Sequence, residues 1–243
     1  MVNQSNCSPE TRASDRAAGA ALVALGVGFN IPFVLLAVQF DYPEILRRPA
    51  AEILSALVAG GPGLLLVWYA FALAALLFAP VALAHALAAD RSRSAPALAI
   101  SAGIFGALAG VMQAAGLLRW VLVVPLMSGQ PAGDTVFTAV HAFGGALMGE
   151  HLGQLLTAGH IAIVAMMQRR ERRRFLARIG FAAAAAIAIG AYETVAIALG
   201  FPGETFGQVA VAGYMGLTLW MVASGADLMR RRSSAGNGTQ VHA

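Results

Sequence analysis

Six stretches of this chain, near residues 17–39, 62–88, 96–118, 136–167, 175–200 and 206–229, stay apolar for about 20 residues or more between bounds of charge, proline or glycine. No other feature narrows the fold so far. A helix of that length satisfies its own backbone and, at a rise of about 1.5 Å per residue, crosses a hydrocarbon layer of about 30 Å. Composition agrees, since 58% of the 243 residues are hydrophobic and only 12% are charged, too few to cover a water-soluble surface. The expected fold is an all-α, polytopic transmembrane helix bundle over residues 17–229, with a polar tail at 1–16 and a basic, flexible tail at 230–243. Six spans are counted, with seven as the alternative. The third can slide outward by a turn or two, because RWVLVVPLM prolongs its apolar run past Arg119.

Orientation follows from arginine, which supplies all sixteen basic residues. With both termini cytoplasmic, Arg12, Arg16, Arg91, Arg93, the six arginines of RRERRRFLAR from Arg169 to Arg178, and Arg230, Arg231 and Arg232 fall inside, leaving only Arg47, Arg48 and Arg119 outside. Basic residues near span ends are retained on the cytoplasmic side, so the expected location is a cell inner membrane, multi-pass. The same asymmetry explains the pI of about 10.0 without nucleic acid. The partner it implies is the lipid bilayer, each arginine near an anionic surface contributing about 1 kcal/mol. The first run is longer than a secretory signal's apolar region and is read as a retained span kinked at Pro32. Cys7 is the only cysteine, which excludes a disulfide within the chain and a thiolate metal cluster.

Between the first two runs lies DYPEILRRPAAEILSALVAGGPG. Asp41 with Glu44 three residues on suggests a capped short helix, Pro49 interrupts it, and Gly60, Gly61 and Pro62 end a second, turn-rich segment. The expectation is a small interfacial cover in which Arg47 and Arg48 pair locally with Asp41, Glu44 and Glu52 or anchor in headgroups.

Four segments in order, FDYPEILRRPAAEIL, WYAFALAALLFAPVALA, GLLRWVLVVPL and GEHLGQLLT, resemble an uncharacterised family of bacterial multi-spanning membrane proteins known only as a domain of unknown function. The resemblance covers about residues 20 to 225 and implies a six- or seven-helix integral membrane fold. It transfers no activity.

The fourth run carries the polar constellation, in ALMGEHLGQLLTAGH. At about 100° per residue, Glu150, Gln154 and Thr157 share a helix face flanked by His151 and His160. Gly145, Gly149 and Gly153 repeat every fourth residue, a pattern that lets helices approach closely in lipid. With the span at 136–167, Glu150 and His151 fall at mid-membrane, where an ionised group costs about 3 kcal/mol and therefore faces protein. Arg119, His141 and Glu193 are expected to share an outer polar layer in which Arg119 pairs with Glu193. The third run's Gly106, Gly110 and Ala114 are expected to pack on the glycines of the fourth.

Established site chemistries find little here. His85 with His160 is the only histidine pair at matching depth, a weak metal candidate, and neither haem nor another cofactor is expected. GEHLGQ reverses a zinc-protease motif without the second histidine, and no G-x-S-x-G occurs. With no catalytic spacing recognised, the sequence leans away from an enzyme. It leans toward binding or transport of a small molecule or proton at the polar site of the fourth run. A membrane-embedded enzyme or redox protein, a scaffold subunit of a membrane complex, and a homo-oligomer or membrane partner stay open.

Overall fold

A computed structural model of the chain describes residues 9–231. Cys7, Arg232, half of the first tail and most of the second lie outside the described residues. The first apolar run forms α1 (Pro9–Gly28) and α2 (Asn30–Phe40), so residues 9–16, read from sequence as tail, are helical. The break falls at Phe29, one turn before Pro32, where a proline removes a backbone hydrogen bond and presses on the carbonyl four residues back. Asp41 then ends α2 in the left-handed conformation, at φ 53°.

A 3₁₀ turn at Glu44–Arg47 leads into α3 (Ala50–Leu87), which is really two helices. They meet at Gly61, whose φ of 59° and ψ of −161° only glycine adopts readily. The cover thus contains a true helix after Pro49 rather than the turn-rich segment expected. After α4 (Arg91–Ser94), α5 runs Pro96–Leu122, past Arg119 as the longer apolar run suggested.

The fourth run stays helical but changes winding: α6 (Gly133–Val140) passes into a π-helix at His141–Leu152 and then into α7 (Gly153–Arg170). The fifth is α8 (Arg174–Gly190) followed by the short α9 (Glu193–Ala198), and the sixth is α10 (Glu204–Arg230). No strand occurs among the described residues. Five segments, Ala13–Phe40, Ala50–Leu87, Pro96–Leu126, Arg174–Ala198 and Glu204–Arg230, are long and apolar enough to cross a membrane.

Each long helix packs on its neighbours in sequence and α10 packs back on α1, so the helices close into a ring. Small residues set the closest approaches. A Cβ on Gly19 would lie 2.6 Å from the carbonyl oxygen of Gly225, and one on Gly110 would lie 2.7 Å from the backbone nitrogen of Ala79. Outside, large apolar side chains such as Leu66 and Leu219 stay exposed, at 68% and 66%, which suits a lipid solvent and not water.

Two cores fill the ring. At the end covered by residues 41–60, Trp68 stacks on Trp120 at 4.8 Å, with Phe40 edge-on to both rings at 5.8 and 5.5 Å. Toward the arginine-rich end, Ile161, Val164 and Trp220 are fully buried in a cluster with small alanines of α3 and α5.

Candidate functional site

Arg47 organises the cover end. Ile45 and Leu46 beside it are only 2% and 7% exposed, so the 3₁₀ turn is fixed on the bundle and Arg47 is aimed into it. Its Nε donates to Glu193 Oε1 at 2.9 Å and its second guanidinium nitrogen to Glu150 Oε2 at 2.7 Å. One arginine from the cover thereby ties the fourth run to α9. Burial alone would lower the Arg47 pKa, but Glu150 and Glu193 together raise it, so the group stays charged. Arg48 pairs with Asp41, the local bridge that sequence predicts.

The structure brings Arg119 and His141 together, with Arg119 Nη2 3.4 Å from His141 Nδ1. Arg119 is 6% exposed, donates to the Gly116 carbonyl oxygen, and lies 4.9 Å from the Trp120 ring centre. Gly145 makes room for it, since a Cβ there would meet the guanidinium carbon at 2.8 Å. The expected pair with Glu193 does not form, because Arg47 folds inward from the cover and takes that carboxylate. Among the described residues no acid makes a salt bridge with Arg119, and its Nε and His141 Nε2 have no hydrogen-bond partner.

The depth of Glu150 also differs from the sequence reading. It stands about 30 Å from Arg170 at 1.5 Å per residue, and Glu193 stands equally far from Arg174. Both acids therefore belong to the cover level, one hydrocarbon thickness from the arginine-rich end. Glu150 is held at the cover by Arg47, and residues 141–152 wind as a π-helix, to which a 100° projection does not apply. Such π segments are rare and concentrate at functional sites.

His151 accordingly leaves the Glu150 face. Its Nδ1 donates to the Ala191 carbonyl at 2.8 Å, which fixes the end of α8 against the fourth run. Gln154 and Thr157 point into the ring and are buried, at 8% and 0% exposure. Thr157 Oγ1 donates to the Gly153 carbonyl at 2.7 Å and accepts from Gln113 Nε2 at 2.7 Å, while Gln154 Oε1 has no partner among the described residues. Tyr214 on α10 lies near Thr157, and Tyr42 in the cover lies within electrostatic reach of Tyr214, Arg47, Arg119, Glu150 and Glu193. Burial, aided by Glu150, pushes the Tyr42 pKa above its ordinary value, so it stays a neutral hydroxyl.

Polar side chains thus continue inward from the Arg47 bridge by about 10 Å, the rise from Glu150 to Thr157. Sequence reasoning missed Arg47, Tyr42, Gln113 and Tyr214 as members. Gln113 is a lone amide in an apolar run and was a readable signal. For Arg47 there was none, since nothing local distinguishes it from Arg48.

The glycine seams also pair differently. Gly110 packs on the backbone of α3 rather than on the fourth run, and Gly106 leaves space for Ala82 and His160. Gly106 thus meets the fourth run at His160, and the glycines of that run are met further out, where a Cβ on Gly116 would stand 2.9 Å from Gly149 Cα and from the Gly144 carbonyl oxygen.

At the arginine-rich end the polar groups are of two kinds. His85 and His160 are 0% and 1% exposed, with ring centres 6.1 Å apart and the Trp220 ring 5.1 and 6.2 Å from them. Beside them Trp220 Nε1 donates to Gln168 Oε1 at 3.0 Å and Gln168 Nε2 to Ser224 Oγ at 2.9 Å. Beyond lies an ionic chain: Arg91 and Arg231 each meet Glu171 at 2.6 Å, and Asp227 meets Arg231 at 2.9 Å and Arg173 at 3.2 Å. Among the described residues no three His, Cys, Asp or Glu side chains gather as metal ligands.

No curated protein and no solved structure matches the chain significantly. A family model does match, over residues 17–225 and thus nearly all of the helical ring, and the chain belongs to that family, described as Domain of unknown function (DUF4386).

Proposed function

We propose that the protein is a six-span inner-membrane protein, with both termini cytoplasmic and the 41–60 cover outside, that binds or transports a small polar solute or a proton at the Glu150 site. The fourth run is counted as a span beside the five longer apolar segments, since residues 133–170 are helical from end to end although their winding changes. The observation that carries the reading is the Arg47 bridge to Glu150 and Glu193. A cover element one turn long holds two carboxylates from separate helices directly above buried polar groups with unused hydrogen-bonding capacity. A solute cation or a proton on either carboxylate weakens the bridge, and a solute anion competes for Arg47 or Arg119. Occupancy is thereby coupled to opening of the cover.

This role requires the titratable carboxylate, whereas a packing role is met by neutral hydrogen bonds. Glu150→Gln is therefore expected to insert and fold with normal membrane yield but to lose whatever small molecule mass spectrometry finds on the purified parent, or the proton flux it shows in vesicles. A Glu150→Gln protein that keeps both contradicts the reading and leaves the bridge as a structural clamp.

A further inference from the structure

The two buried histidines of the arginine-rich end are used by no part of the Glu150 site. His160 Nδ1 lies 2.9 Å from the Ala102 carbonyl oxygen, which can only accept, so Nδ1 carries the proton and Nε2 presents a bare lone pair. That lone pair has no partner among the described residues, and neither ring nitrogen of His85 has one. Buried polar groups are nearly always satisfied, so three unsatisfied nitrogens on two adjoining imidazoles point to a ligand. A backbone carbonyl holding one ring N–H while the other nitrogen stays free is the arrangement that orients a metal-binding histidine.

We infer that His85 and His160 form a two-coordinate site for a monovalent soft metal ion, copper(I). An ion held about 2 Å from each of two facing imidazole nitrogens separates the ring centres by about 6 Å, and they are 6.1 Å apart. The donor set selects the ion. Zinc takes four ligands and calcium or magnesium takes oxygens, whereas two neutral imidazoles suit copper. Charge selects it further. Among the described residues no carboxylate acts on the pair, and Arg91, which donates to the His85 carbonyl at 2.8 Å, and Arg231 stand within electrostatic reach, so a dication is disfavoured more than a single charge. Trp220 and Phe78 flank the rings, and an aromatic face favours a cation. A haem does not fit, because Trp220 lies inside the space that a macrocycle between the imidazoles would fill.

The test uses the full chain carrying Cys7→Ser, purified in detergent and titrated anaerobically with copper(I) against a chromophoric copper(I) chelator. One copper(I) per chain is expected, with quenching of tryptophan emission and at least 100-fold weaker retention of zinc. The variant His85→Gln with His160→Gln loses the site, while His151→Gln keeps it. X-ray absorption on the parent alone, which needs no variant to fold, is expected to show a two-coordinate ion with nitrogen neighbours. Failure of the parent to hold copper against the chelator, equal retention by the double variant, or sulfur in the coordination shell overturns the inference. None of these results depends on Glu150, so the two sites stand or fall separately.

Discussion

The two ends of the ring treat charge in opposite ways. At the arginine-rich end two acids serve three arginines in a continuous chain, Arg91 to Glu171 to Arg231 to Asp227 to Arg173, and Arg91 is almost wholly buried. At the cover end the partly exposed Arg47 serves two acids and Arg48 pairs with Asp41, while the buried Arg119 makes no salt bridge among the described residues. The first arrangement pins α4, the loop after α7 and the end of α10 to each other, and each charge in it is compensated. The second leaves Arg119 Nε, His141 Nε2 and Gln154 Oε1 unsatisfied. A fastening needs complete pairing, and a site that admits something needs groups to offer.

The largest difference between the ends should be in stability. Breaking a buried ion pair from one side costs about 3–5 kcal/mol, and Glu171 is a fifth exposed while the Arg91 side chain is 2% exposed. Arg91→Ala leaves Glu171 paired with Arg231, so it is expected to lower stability in detergent by less than that, about 2 kcal/mol, read as a fall in melting temperature, whereas Arg47→Ala loses less still. A larger loss for Arg47→Ala would make the cover end the fastening and reverse the comparison. The Glu171 carboxyl adds a pH signature. Burial pushes its pKa up, but pairing with Arg91 and Arg231 outweighs this and leaves it below the usual 4.5. A depressed carboxylate stabilises fully above its unfolded pKa and loses the contribution as pH falls through the folded value. Melting temperature of the parent should thus fall below pH 4.5, and that of Glu171→Gln should fall less over the same range.

A smaller effect separates the partners of Glu193. Arg47→Ala and Glu193→Gln should be non-additive by about 0.5 kcal/mol or more, while Arg119→Ala and Glu193→Gln should add within about 0.5 kcal/mol. Thermal stability of the three single and two double variants decides this. Coupling in the second pair and none in the first would restore the pairing expected from sequence.

Why that pairing was expected shows what one sequence can carry. Apolar run length and helix rise located the helices to within a few residues, and Gly61–Pro62 and Pro32 marked real breaks, because these depend only on local backbone chemistry. Arg119 beside His141 followed from depth counting along α5 and the fourth run. Arg47 did not, since its destination depends on how a 3₁₀ turn docks, and docking is set by burial of Ile45 and Leu46 against helices distant in sequence. The π-helix was also hidden. A change of winding at His141–Leu152 alters which residues share a face without altering composition, so Glu150 met the cover instead of the middle of the bundle.

The central claim is that Arg47 closes a polar site that can open, and thiol accessibility below the bridge tests it most directly. In a Cys7→Ser background, Thr157→Cys places the only thiol at a position that is 0% exposed and about 10 Å beneath Glu150. A membrane-impermeant maleimide added from the side opposite the arginine-rich loops should label it slowly in the parent background. Adding Arg47→Ala should raise the labelling rate by about tenfold or more, the change in an equilibrium that corresponds to about 1.4 kcal/mol. Equal slow labelling with and without Arg47, in protein of normal yield, would contradict the account, because the bridge would then hold nothing shut.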